Sequence, residues 1–439
     1  MALAATPPRP TAPSPAYGTP HQPYTSSWLA LGVLTTIFFM WGFLTCLNDI
    51  LIPHLKSIFQ LNYTQAILVQ LTFFGAYFLM GMPAGRLVAA LGYKKGIVAG
   101  LAIAGIGALG FWPAAALHLY PAFLGALFVL ATGITVLQVA ANPYVALLGP
   151  EKTSSSRLTL AQALNSLGTT LAPLFGGLLI LSNVVKNPDE LAALAPAQRL
   201  LYDTQQAQAV QFPYIGLALV LFLLALFVWM FRLPALTEST DRSDHDRHGF
   251  IEVLRHPHVR FGVLGIFFYV GAEVAIGSFM VNYLSMPDIG HMSEQQAAKY
   301  VSWYWGGAML GRFAGSALMA WISPRKLLAT FATINAALVL TTMLSHGALA
   351  MYSIIAIGLF NSIMFPTIFA LGIERLGPMT SKASSLLIMA IVGGAVIPQL
   401  QGMLADHIGL QHAFFLPLLC YLYIVFYGAS GSKIRSSTD

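Results

Sequence analysis

The sequence predicts an all-α polytopic membrane protein in which twelve transmembrane helices form two six-helix halves. Of its 439 residues, 57% are hydrophobic and only 9% are charged, whereas soluble domains carry about 25% charged residues. Only Asp49 and Glu273 place a carboxylate deep inside an apolar stretch. A charge at such a depth is tolerated where it faces a protein interior or a water-filled cavity, and function usually explains it.

Turn signals and charged residues divide the chain into twelve apolar segments of about 20 residues or more, the length that crosses a bilayer. The first six lie near residues 28–58, 65–90, 96–116, 120–148, 157–183 and 212–232. The second six lie near residues 259–286, 296–321, 327–345, 348–373, 383–405 and 411–430.

The polar segments set the domain organisation. Residues 1–27, rich in Pro, Thr and Ser, predict a disordered cytoplasmic tail. A charged cytoplasmic linker, 233–258, separates an N-terminal half, 28–232, from a C-terminal half, 259–430, and residues 431–439 form a second cytoplasmic tail. Both termini are placed in the cytoplasm because only four of the 22 Lys and Arg residues then fall in external loops, as the positive-inside rule requires. Those four are Lys56, Lys186, Arg199 and Lys299.

The two halves repeat each other weakly but in order, and the spacing between matching segments is nearly constant. The matching segments are GRLVAALGYKK from Gly85 with GSALMAWISPRK from Gly315, NPYVALLG from Asn142 with FPTIFALG from Phe365, and LAPLFGGLL from Leu171 with VIPQLQGML from Val396. Parallel repeats of this kind build the major facilitator architecture, which binds its substrate between the halves near the bilayer midplane. The repeat therefore predicts that fold and transport by alternating access.

Several longer motifs resemble one family. The runs FFMWGFLTCLNDILIPHLK, QVAANPYVALLGP, LTLAQALNSLG and FPTIFALGIERLG resemble the fucose permease type of major facilitator sugar transporter. Within that type, QVAANPYV together with YVGAEVAIGSFMVNY is similar to the glucose/galactose permease branch. The resemblance covers nearly the whole chain except the N-terminal tail. It implies cation-coupled uptake of a monosaccharide, with glucose or galactose expected, across a bacterial inner membrane.

A sugar presents many hydroxyls and flat apolar faces, so its site needs amides, carboxylates and an aromatic ring. The first span supplies Trp41, Asn48 and Asp49, of which Trp41 and Asn48 share one helix face. Amides in membrane helices also form hydrogen bonds with neighbouring helices, which is the alternative to a sugar contact. For Asn142, beside Pro143, a hydrogen bond to a freed backbone carbonyl is a further alternative. The fourth and fifth spans add four amides in pairs that share a face: Gln138, Asn142, Gln162 and Asn165.

The second half supplies the rest of the predicted substrate site. Tyr269 and Glu273 place a ring one helical turn from a carboxylate. Asn282 is rotated from Glu273 by about 180°, so it shares the same cavity only if the helix kinks. The tenth and eleventh spans contribute one amide each, Asn361 and Gln399.

Asp49 is the predicted ion-coupling residue, with Asn48 and Glu273 as candidate partners. A carboxylate in apolar surroundings binds a proton more readily than one in water, and a neutral Asp49 would let the loaded carrier reorient. The fucose permease pattern has a glutamate where this chain has Gln138 and a glutamine where it has Glu273. A second acidic step therefore cannot run through Gln138. Asp49 alone, Asp49 with Glu273, and sodium coupling with Asp49 as an oxygen ligand all stay open.

Charged residues near the ends of the spans fit cytoplasmic loops that stabilise one conformation through carboxylate or helix-end contacts. Anchoring of the topology explains them equally well. The residues assigned to this gating group are Arg86, Lys94, Lys95, Glu151, Arg157, Arg312, Arg325, Lys326 and Glu374.

Other functional classes fit the sequence less well. A multidrug antiporter of the same fold is the main alternative, but its cavity would be lined by aromatic residues and few amides. An uncoupled facilitator leaves Asp49 unexplained. Nucleotide-binding, zinc-protease and serine-hydrolase motifs are absent, which argues against an enzyme and a cofactor. Cys46 and Cys420 lack metal-site spacing and are expected to pack in the interior. Nucleic acid is not an expected partner, and a monomer suffices because one chain contains both halves.

Overall fold

The computed structural model of this chain describes residues 29–43, 46, 63–117, 119–179, 194–234 and 249–434. Within these ranges the regular secondary structure is helical and no strand occurs. The predicted N-terminal tail, most of the predicted linker and the last five residues lie outside the described part of the chain.

The first half contains six described helices, and several of them are joined by short turns. They are α1 (Leu29–Phe43), α2 (Tyr63–Leu91), α3 (Tyr93–Ala116), α4 (Tyr120–Leu147), α5 (Ser154–Leu179) and α6 (Pro196–Met230). Gly92 alone separates α2 from α3, and its φ of 79° lies in the left-handed region that glycine adopts without steric cost. This residue makes the tight turn that the segment GRLVAALGYKK predicts.

A short helix, α7 (Phe250–Arg255), precedes the second half. Three of the segments of that half that are long enough to cross a membrane are built from more than one helical piece. The helices are α8 (Pro257–Leu284), α9 (Glu294–Leu318), α10 (Pro324–Leu344), α11 (Gly347–Asn361), α12 (Met364–Gly372), α13 (Thr380–Met389), α14 (Gly393–Ile408), α15 (Leu410–Ala413) and α16 (Phe415–Phe426), and a π-helix covers Tyr427–Gly431.

Nine helical segments among the described residues are long and apolar enough to cross a membrane. In the second half, three of these segments are the composite spans Gly347–Gly372, Gly377–Ile408 and Leu410–Gly431. Helices α5 and α9 cover the predicted fifth and eighth spans but are not among the nine, and α1 is described only as a shorter apolar helix. The total of twelve spans therefore stays a prediction.

Equivalent helices cross at equivalent places in the two halves. A Cβ atom at Gly168 of α5 would collide with the Phe39 carbonyl oxygen of α1, and a Cβ atom at Gly393 of α14 would collide with the Phe267 carbonyl oxygen of α8. The spacing from Gly168 to Gly393 is the same as that from Leu171 to Val396 in the sequence repeat. Small residues let the backbones approach at these crossings, so both halves use one packing solution.

The two halves meet mainly at the end of the molecule that carries the basic turns. There the Ser156 hydroxyl donates to the Ser316 carbonyl oxygen at 2.8 Å, and the Ser316 hydroxyl donates in return to the Ser156 carbonyl oxygen at 2.9 Å. The Ser385 hydroxyl donates to the Gly81 carbonyl oxygen at 2.7 Å. Among the described residues, side-chain hydrogen bonds between the halves lie at this end or midway along the helices. This end is called the closed end below, because these hydrogen bonds join the two halves there.

Candidate functional site

Three amides of the first half are buried with unpaired polar atoms. Gln138 on α4 donates from Nε2 to the Tyr77 hydroxyl of α2 at 2.7 Å, but its Oε1 has no partner among the described residues. Asn142, one turn further, has no partner there for either side-chain atom, and neither has Nε2 of Gln162 on α5. A buried polar group without a hydrogen bond costs about 1–3 kcal/mol. Ordered water or a bound polar ligand commonly completes buried atoms of this kind.

Asn165 has a different surrounding from the other three amides. Its Nδ2 donates to the Phe38 carbonyl oxygen at 2.9 Å, beside the crossing of α1 and α5. The Asn165 side chain therefore joins α5 to α1 by a hydrogen bond, which is one of the roles that the sequence left open for these amides. Trp41 is buried on α1, and its ring centroid lies 5.3 Å from that of Phe38. Asn48 and Asp49, on which the coupling hypothesis depends, lie outside the described residues.

The carboxylate of the second half is held by two neighbours. The Tyr269 hydroxyl donates to Oε1 of Glu273 at 2.7 Å, and Nη2 of Arg312 lies 3.9 Å from the same oxygen. The side chains of Arg312 and Glu273 are only 13% and 12% exposed. Because an arginine and a hydroxyl share one carboxylate oxygen, the negative charge of Glu273 is balanced inside the protein.

Asn361 is the centre of a buried hydrogen-bond network that sequence reasoning missed. Its Nδ2 donates to the Tyr304 hydroxyl at 2.7 Å, and its Oδ1 accepts from Nδ2 of Asn335 at 2.8 Å and from the Tyr421 hydroxyl at 2.7 Å. An asparagine side chain offers two donors and two acceptor sites, so three of the four are used. Asn361 is therefore a structural centre of the second half, and its one remaining N–H is all that it can offer to a ligand.

The amide and tyrosine pairs of the two halves correspond. Gln138 binds Tyr77 in the first half as Asn361 binds Tyr304 in the second, each at 2.7 Å. The spacing from Gln138 to Asn361 is the same as that from Asn142 to Phe365 in the sequence repeat. The sequence signal for this network was available in Tyr77 and Tyr304, which occupy matching places on the second helix of each half.

In each half, one proline frees a backbone carbonyl that a side chain of another helix binds. A helical proline cannot donate to the residue four positions earlier, so Pro143 frees the carbonyl of Val139 and Pro366 frees that of Ser362. The Ser384 hydroxyl, from the opposite half, donates to the Val139 oxygen at 3.0 Å. The freed carbonyl in α4 is thus bound by a serine of the second half, and not by Asn142, for which this role was one of the alternatives left open.

Arg312 lies in a different place from the one that the sequence predicts. We expected it in a cytoplasmic loop with the other basic residues, and this expectation is wrong, because it lies well inside α9, which ends at Leu318. Its Nε donates to the freed Ser362 carbonyl oxygen at 3.2 Å, and its Nη1 donates to the Ser166 hydroxyl of α5. A guanidinium is stable at this depth because two of its nitrogens are hydrogen-bonded and the third faces the negative charge of Glu273.

Asn282 and Gln399 lie together, but in a cavity whose lining does not include Glu273. This cavity of about 450 Å³ lies between α8, α14 and the start of α15, and its lining also includes Phe279 and Asp406. Helix α8 runs without interruption through Gly271 and Gly277. The expectation that an unbroken helix keeps Asn282 away from Glu273 therefore agrees with the structure.

The other predicted gating residues cluster at the closed end, where three of them take part in two ion pairs. Nε of Arg375 lies 3.2 Å from Oε1 of Glu151, which joins the two halves, and Nη2 of Arg325 lies 2.8 Å from Oε2 of Glu374 within the second half. Burial raises the pKa of the Glu374 carboxyl, a hydrogen bond with Glu151 acts in the same direction, and the Arg325 guanidinium opposes both.

The remaining gating residues lie in or beside the same turns. Arg157 donates to the Val145 and Ala146 carbonyl oxygens at 3.2 and 2.5 Å, so it satisfies the last turn of α4. Lys94 donates to the Trp229 carbonyl oxygen at 2.9 Å. Arg86 lies over a ring of the short helix α7, and Lys95 and Lys326 lie in the first turns of α3 and α10.

Comparison with known proteins gives the same fold. The sequence model of the Major Facilitator Superfamily matches residues 29–398. The chain is 52% identical over 404 residues to a glucose/galactose transporter of Brucella abortus, and the match covers 92% of this chain and 94% of the relative. It is 37% identical over 416 residues to the L-fucose-proton symporter of Escherichia coli, a match that covers 93% of this chain and 94% of that protein.

A solved structure extends the agreement to three dimensions. The crystal structure of the major facilitator transporter FucP in the outward conformation superposes with a TM-score of 0.87 at 37% identity, covering 93% of this chain and 100% of that one. The predicted class, an all-helical multi-pass membrane protein with the major facilitator fold, is confirmed, and so is the resemblance to the fucose permease type near its glucose/galactose branch.

Proposed function

The chain belongs to the Major Facilitator Superfamily, and on this basis we propose that it is a cation-coupled monosaccharide symporter that works by alternating access. Glucose and galactose are the proposed substrates and the proton is the proposed coupling ion. The names of its relatives support this choice, since one is called a glucose/galactose transporter and another an L-fucose-proton symporter. A bacterial inner membrane, cytoplasmic termini and function as a monomer belong to the same proposal.

The observation that carries the substrate class is the group of buried amide atoms on Gln138, Asn142 and Gln162 that have no partner among the described residues. Together they offer acceptors and donors, which is what sugar hydroxyls require because each hydroxyl both donates and accepts. A multidrug carrier has no use for such groups, since an apolar drug would leave them unpaired at a cost of about 1–3 kcal/mol each. Both contacts of Glu273 use Oε1, so Oε2 is proposed to accept a further sugar hydroxyl.

Asp49 is proposed to carry the coupling proton, because Gln138 cannot titrate and Glu273 is already balanced by Arg312. Protonation would cancel the charge of Asp49 and so lower the cost of moving the loaded site between the two sides. Sodium binding by Asp49 and Asn48 is the alternative that the transport experiment must separate from this one.

The closed end supports a gating role for its ion pairs. Glu151 and Arg375 link the halves directly, and Arg325 holds Glu374 beside them. When this end opens, the pair between the halves must separate while the pair within the second half can persist. We therefore propose that Glu151 takes part in gating and that Arg157, which holds backbone carbonyls of α4, supports the local structure.

Uptake of radiolabelled glucose and galactose into proteoliposomes tests the proposal. An inward proton gradient, an inward sodium gradient and no gradient are compared, with fucose and mannose as competitors. We expect accumulation with the proton gradient alone, and we expect Asp49→Asn to abolish accumulation while sugar exchange persists. Sodium-driven accumulation would replace the proton by sodium, and transport of none of these sugars would overturn the substrate class.

A further inference from the structure

Arg312 makes contacts on both sides of the interface between the halves. It belongs to α9 in the second half, but its Nη1 donates to the Ser166 hydroxyl on α5 in the first half. Its Nη2 faces Glu273 at 3.9 Å and its Nε binds the Ser362 carbonyl oxygen at 3.2 Å. Arg312 therefore contacts the Glu273 carboxylate and the freed Ser362 carbonyl in its own half, and Ser166 in the opposite half.

The separation of 3.9 Å between Nη2 of Arg312 and Glu273 is longer than a hydrogen bond. The hydrogen bonds to Ser166 and Ser362, and not the carboxylate, hold the guanidinium in its present orientation. Ser166 in turn donates to the Gln162 carbonyl oxygen at 3.0 Å on its own helix. Arg312 is thus fixed in this closed arrangement by the position of α5 relative to α9.

Tyr269 joins the same group from the other direction. Its hydroxyl has one proton and lies 2.7 Å from Oε1 of Glu273 and 3.1 Å from the Asn361 carbonyl oxygen. The neighbouring carbonyl, that of Ser362, is bound by Arg312. Tyr269 and Arg312, which face Glu273, therefore also bind the two backbone carbonyls at the break between α11 and α12.

We propose that Arg312 is a positioning residue that couples the Glu273 carboxylate to closure of the pathway, by binding Ser166 of the first half when the closed end is shut. When that end opens, α5 moves away from α9 and Arg312 loses Ser166. The buried guanidinium is then stabilised mainly by the negative charge of Glu273. The carboxylate favours the open form and the serine favours the closed form, so the two have opposite effects on the equilibrium. This inference rests on the proposed function for its role in transport, but the contact itself can be tested without a sugar.

A cysteine that is buried only in the closed form reports the equilibrium. Ser381 on α13 is fully buried at the closed end, its hydroxyl has no partner among the described residues, and its carbonyl oxygen lies against α2. The variant Ser381→Cys is reacted with N-ethylmaleimide in proteoliposomes without sugar. The rate measured in the same protein without this substitution, which retains Cys46 and Cys420, is subtracted.

We expect Ser166→Ala to speed the labelling by about two- to thirty-fold, the range seen for substitutions along coupling networks. Glu273→Gln is expected to slow it, because the open form loses the charge that holds Arg312. Ser166→Thr, which keeps a hydroxyl, should restore the rate of the parent. Thr169→Ala is the matched control, because Thr169 lies on the same helix and, within the described part of the chain, its hydroxyl donates only to the Ser166 carbonyl oxygen, at 2.8 Å.

The proposed role of Arg312 would be overturned if Ser166→Ala left the labelling rate unchanged. It would also be overturned if Ser166→Ala and Glu273→Gln shifted the labelling rate in the same direction. A loss of sugar affinity in Ser166→Ala with no change in labelling would likewise overturn it and would place Ser166 in the sugar site. If the parent binds no sugar at all, the proposed function fails, while the labelling test of Arg312 still gives its answer.

Discussion

The buried amide networks of the two halves occupy matching positions but are completed to different degrees. In the second half, Asn361 uses three of its four hydrogen-bonding positions within the protein. In the first half, Gln138 makes one hydrogen bond and Asn142 makes none with the described residues. One fold repeat therefore provides a rigid centre in one half and unpaired polar groups in the other. Equivalent positions in a repeat need not share a function.

The same contrast applies to the freed carbonyls. Val139 in the first half is bound by the Ser384 hydroxyl, whereas Ser362 in the second half is bound by the Arg312 guanidinium. A hydroxyl brings no charge, but a guanidinium requires a counter-charge when it is buried. This requirement explains why Glu273 is found beside Arg312 in the second half.

Stability should change most when the second-half network is broken. Asn361→Leu removes a partner of two tyrosine hydroxyls and one amide, and a buried polar group left without a partner costs about 1–3 kcal/mol. We expect an apparent Tm in detergent far below that of the parent, without sugar. Gln138→Leu is the matched control and should lower Tm much less, since only Tyr77 loses a partner. Equal losses of Tm in the two variants would contradict the comparison.

The helix crossings should behave alike in both halves, in contrast to the amides. Gly168→Ala and Gly393→Ala each place a Cβ atom against a backbone carbonyl and should destabilise by about 1–3 kcal/mol. Gly32→Ala on α1 meets no atom within 4 Å and serves as the control. Thermal unfolding measures all three. A large loss in only one of the two crossing variants would show that the halves differ in packing as well as in polar groups.

The unpaired amides of the first half should affect sugar binding more than stability. Gln138→Leu is expected to weaken glucose or galactose affinity about tenfold, because one hydrogen bond to a ligand is worth about 1 kcal/mol or slightly more. Titration calorimetry on the purified protein measures this. Gln211→Leu on α6, whose amide binds the Trp112 carbonyl oxygen, should leave affinity unchanged. If affinity in Gln138→Leu equals that of the parent, Gln138 is structural like Asn361.

The response to pH at the closed end should be weaker than any of these effects. The pKa of Glu374 is raised in the closed form, so this form binds a proton more tightly than an open form with an ordinary carboxyl. Lower pH therefore favours closure, and this advantage is lost as pH rises through the raised pKa. Glu374→Gln mimics the protonated carboxyl and should abolish the dependence.

The labelling rate of Ser381→Cys, divided by the rate of the same variant with Glu374→Gln, isolates this pH effect. We expect the ratio to rise with pH above the usual carboxyl range, by less than about fivefold, because a partly exposed ion pair is worth about 1 kcal/mol or less. A ratio that stays constant or falls with pH would show that Glu374 does not favour closure on protonation.

Local sequence patterns were sufficient for the class of protein, the repeat and the depth of several polar residues. Hydropathy and turn signals are local properties, so the Gly92 turn and the pairing of Tyr269 with Glu273 one turn away followed from spacing alone. The chemistry of an amide is also fixed by its type, which is why Gln138 and Gln162 could be expected in the interior, where both are buried.

Tertiary packing, in contrast, determines which polar group meets which. Arg312 and Ser166 lie far apart in the chain, and no local pattern distinguishes an arginine at the end of a span from one bound inside it. Asn361 and Gln138 carry the same side-chain group at equivalent positions, but three other helices supply partners to one and a single helix supplies a partner to the other. Hydrogen bonding depends on distances between helices, and those distances are set by packing at crossings such as that of α5 with α1 and of α14 with α8.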